Sequence, residues 1–493
     1  MDVKLDKQSK IPVYLQIVDQ LRAQIMCGAL PSGSVLPSER GLAQMLEVHR
    51  NTVVKAYGEL KSDAWIESRQ GIGYAVPPAA EDGGEGEAGA SDKPSRRVNW
   101  INEIKDRHLD MEKTFDDLFQ RFTDESKYSL GSGISTNEVF RPERVAHDIA
   151  PLMTSAGCCQ YFYSPYKGDK FLRQKLVSFL STKGVKASTG EIQILSETNQ
   201  AVDFIVTLLV QPGDTVVMEE PVHPDMSRAM ELAGAKILTV PVDQDGMRVD
   251  LLEKLILHKH PRFIFVNSSF HDPTGHILSL ERRKKIIEIS NTYRVPIVEE
   301  DAASELVYEG EKLPPIKAFD TLENVIYIYS FSLTFVTGLS IAVVVANADV
   351  IRSLSYLVSV RLMASDWMTQ KLLGMYLDDG SYYSSLATFR EIYSGNRDLV
   401  CQKLDALAHL GVRYERPRGG VYVWCRLPDG VDSKHFINRA YNMGVTLIPG
   451  HVFYPYKNGG RDYIRINYSY ESRERLACGM DVLHKALEEE LEE

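Results

Sequence analysis

The chain has 493 residues, of which 44% are hydrophobic and 25% are charged. This balance is usual for a globular protein with a sizeable core, and it excludes a wholly disordered or fibrous chain. No run approaches the roughly 18 consecutive apolar residues that a membrane helix needs, and no apolar signal segment follows the N-terminus. We therefore expect a cytoplasmic protein without a membrane partner. The six cysteines have no C-x-x-C spacing, which argues against a disulfide framework or a structural zinc site.

The formal net charge of −11 is unevenly distributed along the chain. Residues 1–76 carry nine Lys/Arg and eight Asp/Glu, a balance of +1 that leaves −12 for the remainder. A DNA-binding surface would therefore be confined to the N-terminal segment. The acidic remainder would keep the bulk of the molecule away from a polyanion.

Residues 11–76 predict a compact helical unit that ends in a hairpin. The first helix carries one apolar stripe, made of Tyr14, Ile17, Val18, Leu21 and Ile25. Ser38 is a natural N-cap for a short second helix that runs to about Leu46. A tight turn over residues 47–49 leads to a third helix. Its inward face consists of Val53, Ala56, Tyr57 and Leu60. This is helix-turn-helix geometry.

Two short strands around a glycine-bearing turn follow within residues 65–76, a pattern typical of the wing of a winged helix. We therefore assign a winged helix-turn-helix domain to residues 8–77. Residues 78–98 are rich in Gly, Ala, Pro and acids, which predicts a flexible linker. Helical periodicity then returns, so we expect a linker helix over residues 99–125.

From residue 126 to 493, short β-branched runs alternate with amphipathic helices. The predicted strands include 215–218, 236–240, 263–266, 296–298 and 325–329, and the predicted helices include 200–209, 280–293 and 471–489. Such alternation indicates a large α/β domain with a mostly parallel sheet.

The N-terminal motifs PVYLQIVDQLRAQI, LPSERGLAQMLEVHRNTVVKAYGEL and WIESRQGIGYAV resemble the winged-helix domain of the GntR family of bacterial transcription regulators. The resemblance assigns the DNA contacts to Arg40, His49, Arg50, Asn51, Thr52, Arg69, Gln70 and Gly71. An Arg at the start of a groove-entering helix can bind guanine O6 and N7 together, while Thr, Gln and backbone N–H groups hold phosphates. His49 stands where many relatives have Ser or Thr. Lys55 is left either as a phosphate contact or as a solvated charge.

The larger domain resembles fold-type I aminotransferases in the motifs YSPYKGDKFLR, DPTG, GGVYVWCRLPDG and YIRINYS. The domain order looks like that of the MocR subfamily of GntR regulators. In that subfamily the domain holds pyridoxal 5′-phosphate, or its amino-acid adduct, as an effector sensor. The resemblance implies a homodimer on double-stranded operator DNA, because the fold-type I site is normally built between two subunits.

The chain departs from this family at the cofactor positions. Leu333 stands in place of the Lys that forms the Schiff base, and Ser340 in place of the Arg that binds the cofactor phosphate. Covalent chemistry on a carbonyl needs a nitrogen nucleophile, so we expect no covalently bound pyridoxal phosphate. Glu197 adds a negative charge beside the phosphate position, and a unit charge about 4 Å away counts for roughly 4 kcal/mol at an effective dielectric constant of about 20. Non-covalent binding of pyridoxal phosphate or a related ligand is left open but disfavoured.

The resemblance also places other pocket residues. Glu300 stands at the position of the pyridinium partner, Asp272 where many aminotransferases have Asn, and His223 in place of an aromatic residue. Arg465 matches the Arg that takes the substrate α-carboxylate. It either holds a small carboxylate-bearing effector or forms a structural ion pair. The predicted effector pocket consists of Tyr163, Thr198, Asn199, His223, Asp272, Glu300, Ser330, Ser332, Leu333, Ser340 and Arg465.

The leading hypothesis is a DNA-binding transcription regulator whose aminotransferase-like domain dimerises and senses a small amino-acid-like or vitamer effector without catalysis. One alternative is a pyridoxal-phosphate-dependent aminotransferase that works through an unusual amine. The other is a pure dimerisation scaffold that binds no ligand.

Overall fold

The computed structural model describes residues 12–26, 28–62, 65–69, 73–77, 124–136, 138–140, 142–155, 165–336, 338–362, 366–456 and 459–492, together with Val3, Leu5 and Arg121. The chain divides into two compact units, residues 1–98 and 99–493, and each has its own hydrophobic core. The predicted linker 78–98 lies outside the described residues. So does the predicted linker helix, apart from Arg121, Asp124 and Glu125.

In the described part of the N-terminal unit, three helices are followed by a hairpin. Its elements are α1 (Val13–Met26), α2 (Glu39–Met45), α3 (Arg50–Ser62), β1 (Glu67–Arg69) and β2 (Gly73–Ala75). The two strands pair antiparallel, with Ser68 opposite Tyr74. This arrangement confirms the winged helix-turn-helix prediction.

The apolar stripes predicted from the sequence form the core of this unit. The predicted inward face of α3 is completely buried, and it packs with Ile17, Val18 and Leu21 of α1. The hydroxyl of Tyr57 donates to the carbonyl oxygen of Pro37 at 2.9 Å, which satisfies a polar group inside the core. Ser38 caps α2 as predicted, by accepting from the N–H of Gly41 at 3.1 Å.

The second unit is built on an eight-stranded sheet with the order β4-β11-β10-β9-β8-β5-β6-β7. The strands of this sheet are β4 (Ile192–Leu195), β5 (Thr215–Glu220), β6 (Lys236–Asp243), β7 (Gly246–Met247), β8 (Ile264–Asn267), β9 (Ile297–Asp301), β10 (Val325–Ser330) and β11 (Ala342–Val345). The five strands from β10 to β6 run parallel, whereas β11 and β7 pair antiparallel with their neighbours. The mostly parallel sheet of a fold-type I aminotransferase-like domain is confirmed.

Helices cover both faces of the large sheet. The helices of this unit are α4 (Pro142–Ser155), α5 (Lys170–Ser181), α6 (Thr198–Leu209), α7 (Pro224–Leu232), α8 (Val249–Lys259), α9 (Leu280–Tyr293), α10 (Ala348–Arg361), α11 (Trp367–Asp379), α12 (Ser381–Ala406), α13 (Ser433–Met443) and α14 (Arg473–Glu492). Neighbouring residues of β9 point to opposite faces, so Val298 packs with α6, α7 and α10 while Ile297 packs with α8 and α9.

A smaller antiparallel sheet lies in the C-terminal part of this unit, with the order β12-β13-β16-β15. Its strands are β12 (Arg413–Tyr414), β13 (Tyr422–Arg426), β15 (Ile448–Pro449) and β16 (Tyr463–Asn467), and a separate short parallel pair joins β3 (Tyr128–Ser129) to β14 (Val445–Thr446). In the register of β13 and β16, Trp424 lies opposite Arg465. The close approach of this sheet to the rest of the unit requires glycine at 419, where a Cβ would lie 2.2 Å from the carbonyl oxygen of Leu306.

Every one of the five predicted strands is present, and each of them ends later than the sequence pattern indicated. The strand predicted at 215–218 runs to Glu220, and the strand predicted at 296–298 runs to Asp301. The acidic residues that follow the β-branched runs therefore belong to the sheet and are not loop residues. No helix in the described part of the chain is long and apolar enough to cross a membrane.

Candidate functional site

The described DNA-binding candidates lie on α2, at the start of α3 and on the wing. Arg40, His49 and Asn51 are exposed, whereas Thr52 is half-buried. The Nδ1 atom of His49 accepts from the N–H of Asn51 at 3.2 Å. His49 thus satisfies a backbone donor at the start of α3, as the Ser or Thr of relatives could do. Gln70 and Gly71 lie outside the described residues.

Arg50 is held by the carboxylate of Glu39, a residue in the first turn of α2. Its Nη2 donates to Glu39 at 2.8 Å and its Nε at 3.3 Å, while the hydroxyl of Tyr74 donates to the other Glu39 oxygen at 3.4 Å. Glu39 therefore ties α2, α3 and the wing together. The Arg50 side chain still keeps 52% of its surface exposed, so its outer donors remain accessible.

Two other basic residues of this surface have partners within the unit. The Nε of Arg69 donates to Glu67, two residues earlier on the same face of β1, at 2.7 Å. The Lys55 ammonium lies 3.8 Å from the centre of the Tyr14 ring, a cation–π distance. Lys55 was left open by the sequence, and the structure places it against α1.

The second candidate site is a pocket of about 150 Å³ in the larger unit, at the carboxyl ends of β5, β8 and β9. It is lined by Gly133, Thr198, Asn199, Val222, His223, Met226, Phe265, Asn267, Ser269, Phe270, His271, Asp272, Glu300, Ala302, Ala303, Ser332, Leu333 and Tyr422. Open α/β sheets bind ligands at this edge. The structure thus brings together seven of the predicted pocket residues, namely Thr198, Asn199, His223, Asp272, Glu300, Ser332 and Leu333.

The other predicted pocket residues are placed differently. Ser330 is buried behind the lining, with its Oγ 2.9 Å from the Oγ of Ser332. Ser340 does not line the pocket, and Tyr163 lies outside the described residues. Arg465 does not line the pocket either, but it contacts two lining residues, Asp272 and Tyr422.

The guanidinium of Arg465 is already occupied by a carboxylate of the same chain. Its Nη1 donates to both oxygens of Asp272, at 2.8 and 2.7 Å, and its Nη2 donates to the carbonyl oxygen of Gly131 at 3.0 Å. The centre of the guanidinium lies 4.3 Å from that of the Tyr422 ring. With 3% of its side chain exposed, Arg465 is a buried member of an ion pair. The structure therefore favours the ion-pair alternative over a hold on an effector carboxylate.

Two buried carboxyl groups are found at the pocket: Glu300 belongs to its lining, and Glu219 contacts the lining residue Asn267. Neither has a Lys or Arg partner among the residues that the structure describes. Burial, with nearby Asp301, Asp272 and Glu299, raises the pKa of Glu300 to about 8. Burial also raises the pKa of Glu219 to about 8, although the N–H of Asn267 donates to it at 2.6 Å. The amide nitrogen of Asn267 donates to Glu300, so Asn267 bridges the two acids.

His271 completes this group of buried polar residues. Its Nε2 lies 3.6 Å from a carboxyl oxygen of Glu219, and its Nδ1 lies 2.9 Å from the hydroxyl of Thr274. Burial lowers the pKa of His271 to about 4. With Glu219 largely protonated at neutral pH, the contact joins two neutral groups and is not a salt bridge.

Sequence reasoning missed Glu219, Asn267 and His271. Each lies at or just after the end of a predicted strand, where the carboxyl edge of a parallel sheet collects side chains. That position was the available signal, because no motif singled these residues out.

The residues of the pocket do not fit pyridoxal 5′-phosphate. Leu333 is 5% exposed and packs in the hydrophobic core, so it offers no amine, and none of the described lining residues is Lys or Arg. At the start of α6, the N-cap Glu197 makes no side-chain capping bond and the Asn199 amide donates to Asp225 at 3.1 Å. A phosphate there would meet the carboxylates of Glu197 and Asp225, and the nearby cation Arg228 is already paired with Asp225 at 3.3 Å.

Comparison with known proteins agrees with both folds. Residues 13–76 match the family of bacterial regulatory proteins called gntR, and residues 127–481 match aminotransferase class I and II. The uncharacterized HTH-type transcriptional regulator YdfD of Bacillus subtilis is 28% identical over 96% of both chains. The chain belongs to the aminotransferase class I and II family. With its N-terminal gntR domain, it has the domain order of the MocR-type subfamily of GntR regulators.

Two further relatives show what this MocR-type regulator is similar to. The probable rhizopine catabolism regulatory protein MocR of Rhizobium meliloti is 27% identical over 90% of this chain and 88% of its own. Among solved structures, the multiple substrate aminotransferase of Thermococcus profundus superposes with a TM-score of 0.74 and 27% identity. It covers 80% of the regulator and 100% of the aminotransferase, so the match lies in the larger unit.

Proposed function

We propose that this MocR-type regulator binds operator DNA as a homodimer, and that its aminotransferase-like domain senses a small ligand without catalysing amino-group transfer. The observation that carries the second part is the buried side chain of Leu333 in a pocket whose described lining has no amine. Transamination needs a nitrogen nucleophile for the cofactor carbonyl. The enzyme alternative has no such group among the described lining residues.

Two features of the pocket support the sensing role. It lies at the edge of the sheet where ligands bind, and its lining combines polar side chains with apolar ones. A ligand that favours one arrangement of the two DNA-binding units would change the affinity for the operator. By linkage, the operator would change the affinity for the ligand by the same factor. We do not expect Arg465 to hold an effector carboxylate, because its guanidinium already donates two hydrogen bonds to the carboxylate of Asp272.

The test of catalysis uses the full-length chain with added pyridoxal phosphate, an amino acid and a 2-oxo acid. We expect no steady exchange of amino groups above a protein-free control. Sustained turnover would contradict the proposal.

The DNA-binding and assembly parts need separate measurements. Genomic footprinting should identify bound promoters, and light scattering of the purified chain should give twice the 55.5 kDa mass of one copy. If the complex with operator DNA contained the mass of one protein copy instead of two, the homodimer would be excluded.

A further inference from the structure

One residue of the pocket lining has a hydrogen-bond acceptor without a donor. The amide nitrogen and the backbone N–H of Asn267 donate to Glu300 and Glu219, and its Oδ1 atom is buried without a hydrogen-bond partner. A buried acceptor without a donor is costly, so this arrangement is suited to a ligand that donates hydrogen bonds.

The carboxylates around Glu300 favour a ligand with a positive charge. Glu299 and Asp301 flank Glu300 on β9, and the carboxylate of Asp272, which follows β8 in the chain, is also near it. The cation of this region, Arg465, is neutralised by Asp272, and the imidazole of His223 is 3.8 Å from the same carboxylate. No described residue that lines the pocket provides Glu300 with a counter-ion.

The same charges exclude an anion. A ligand carboxylate could reach Arg465 only by displacing Asp272 from two hydrogen bonds, and it would then lie beside the displaced carboxylate. Like charges at such distances repel strongly in a site shielded from water.

The size of the pocket and its apolar lining limit the rest of the ligand. A cavity of about 150 Å³ holds a molecule of about the size of benzene. Phe270, Tyr422, Met226 and Val222 provide apolar contacts on its walls. The pocket therefore has room for one small apolar group next to the polar end.

We propose that this pocket binds a small organic cation, a primary or secondary ammonium attached to a compact apolar group, with Glu300 as its counter-ion and Asn267 Oδ1 as an additional acceptor. The inference rests on the proposed sensing role of the domain and names the chemical class of the ligand. It excludes carboxylates and phosphate esters. Because burial raises the pKa of Glu300 to about 8, binding at neutral pH should release a proton from this carboxyl.

Three probes with the same ring and different charges test the assignment: benzylammonium, benzyl alcohol and benzoate. With the full-length chain, we expect calorimetric binding and a raised melting temperature for benzylammonium, weaker effects for benzyl alcohol and none for benzoate. Benzylammonium binding should strengthen from pH 6 to pH 8 and should release a proton, which calorimetry in two buffers of different ionisation enthalpy measures.

Glu300→Gln should weaken benzylammonium at least about tenfold, as expected for the loss of a charge-assisted hydrogen bond, and should abolish the proton release. Benzyl alcohol affinity should stay the same in this variant. The control Glu311→Gln removes a carboxylate from an exposed position outside the pocket and should change neither affinity.

The assignment would be wrong if benzoate or pyridoxal phosphate bound the wild-type chain as tightly as benzylammonium, if none of the three probes bound, or if Glu300→Gln bound benzylammonium normally. The ranking in the wild-type chain decides the matter even if the variant does not fold. A cation that binds but leaves operator affinity unchanged would contradict the sensing role and not the ligand class. A carboxylate that alters operator affinity would contradict the ligand class and not the sensing role.

Discussion

Asp272→Asn should destabilise the larger unit, because it removes the counter-ion of a buried arginine. Breaking a buried ion pair by removing one partner costs roughly 3–5 kcal/mol. In the variant, Arg465 would keep the carbonyl oxygen of Gly131, the face of the Tyr422 ring and one hydrogen bond to the amide oxygen of the introduced side chain. We therefore expect the free energy of unfolding to fall by about 3 kcal/mol, the lower end of this range.

The measurement is unfolding of the larger unit by calorimetry and by urea, with the full-length chain. The matched control is Asp349→Asn, which removes the carboxylate of an Asp–Arg pair on the surface, where the two side chains are 83% and 75% exposed. The control should have a far smaller effect, because water and salt screen exposed pairs.

Rescue by a small anion distinguishes an unpaired charge from a general packing defect. Acetate should raise the melting temperature of the Asp272→Asn protein, since it can take the free positions on Arg465, and should leave the wild-type melting temperature unchanged. Equal stability of variant and wild type, or equal stabilisation of both by acetate, would refute the claim that Asp272 occupies the arginine.

Three more predictions follow from the described contacts. The pKa of Glu300 is about 8 in the folded state, compared with 4.5 for an ordinary glutamate. Between these pH values the folded state keeps a proton that the unfolded state has lost, so the stability of the larger unit should fall as pH rises from about 5 to 8. This difference in pKa corresponds to at most about 5 kcal/mol of stability. Glu300→Gln should therefore reduce the slope of stability against pH, and a slope equal to that of wild type would contradict the prediction. Arg50→Ala should lower discrimination at one base pair by about 1–3 kcal/mol in competition binding, whereas an equal loss on specific and random duplex would argue against a base contact. Glu39→Gln should weaken operator binding less than Arg50→Ala and leave the fold intact by circular dichroism, because it releases Arg50 without removing it.

Local pattern was enough to predict the elements. In α3, buried residues recur with the helical period, so Val53, Ala56, Tyr57 and Leu60 could be assigned to the core from spacing alone. The β-branched runs likewise located five strands of the large sheet, and the prediction that Leu333 stands at the Schiff-base position came from the sequence motif alone. These features depend on residues close together in the chain.

The character of the pocket was decided by tertiary structure. Asp272 and Arg465 are 193 residues apart, and neither position indicates that the one neutralises the other. Glu219 and Glu300 both contact Asn267 only because β8 lies between β5 and β9 in the sheet, an order that periodicity does not determine. Side-chain pattern shows which face of a strand is buried, whereas the partner across that face, and with it the charge of the cavity, depends on how distant strands assemble.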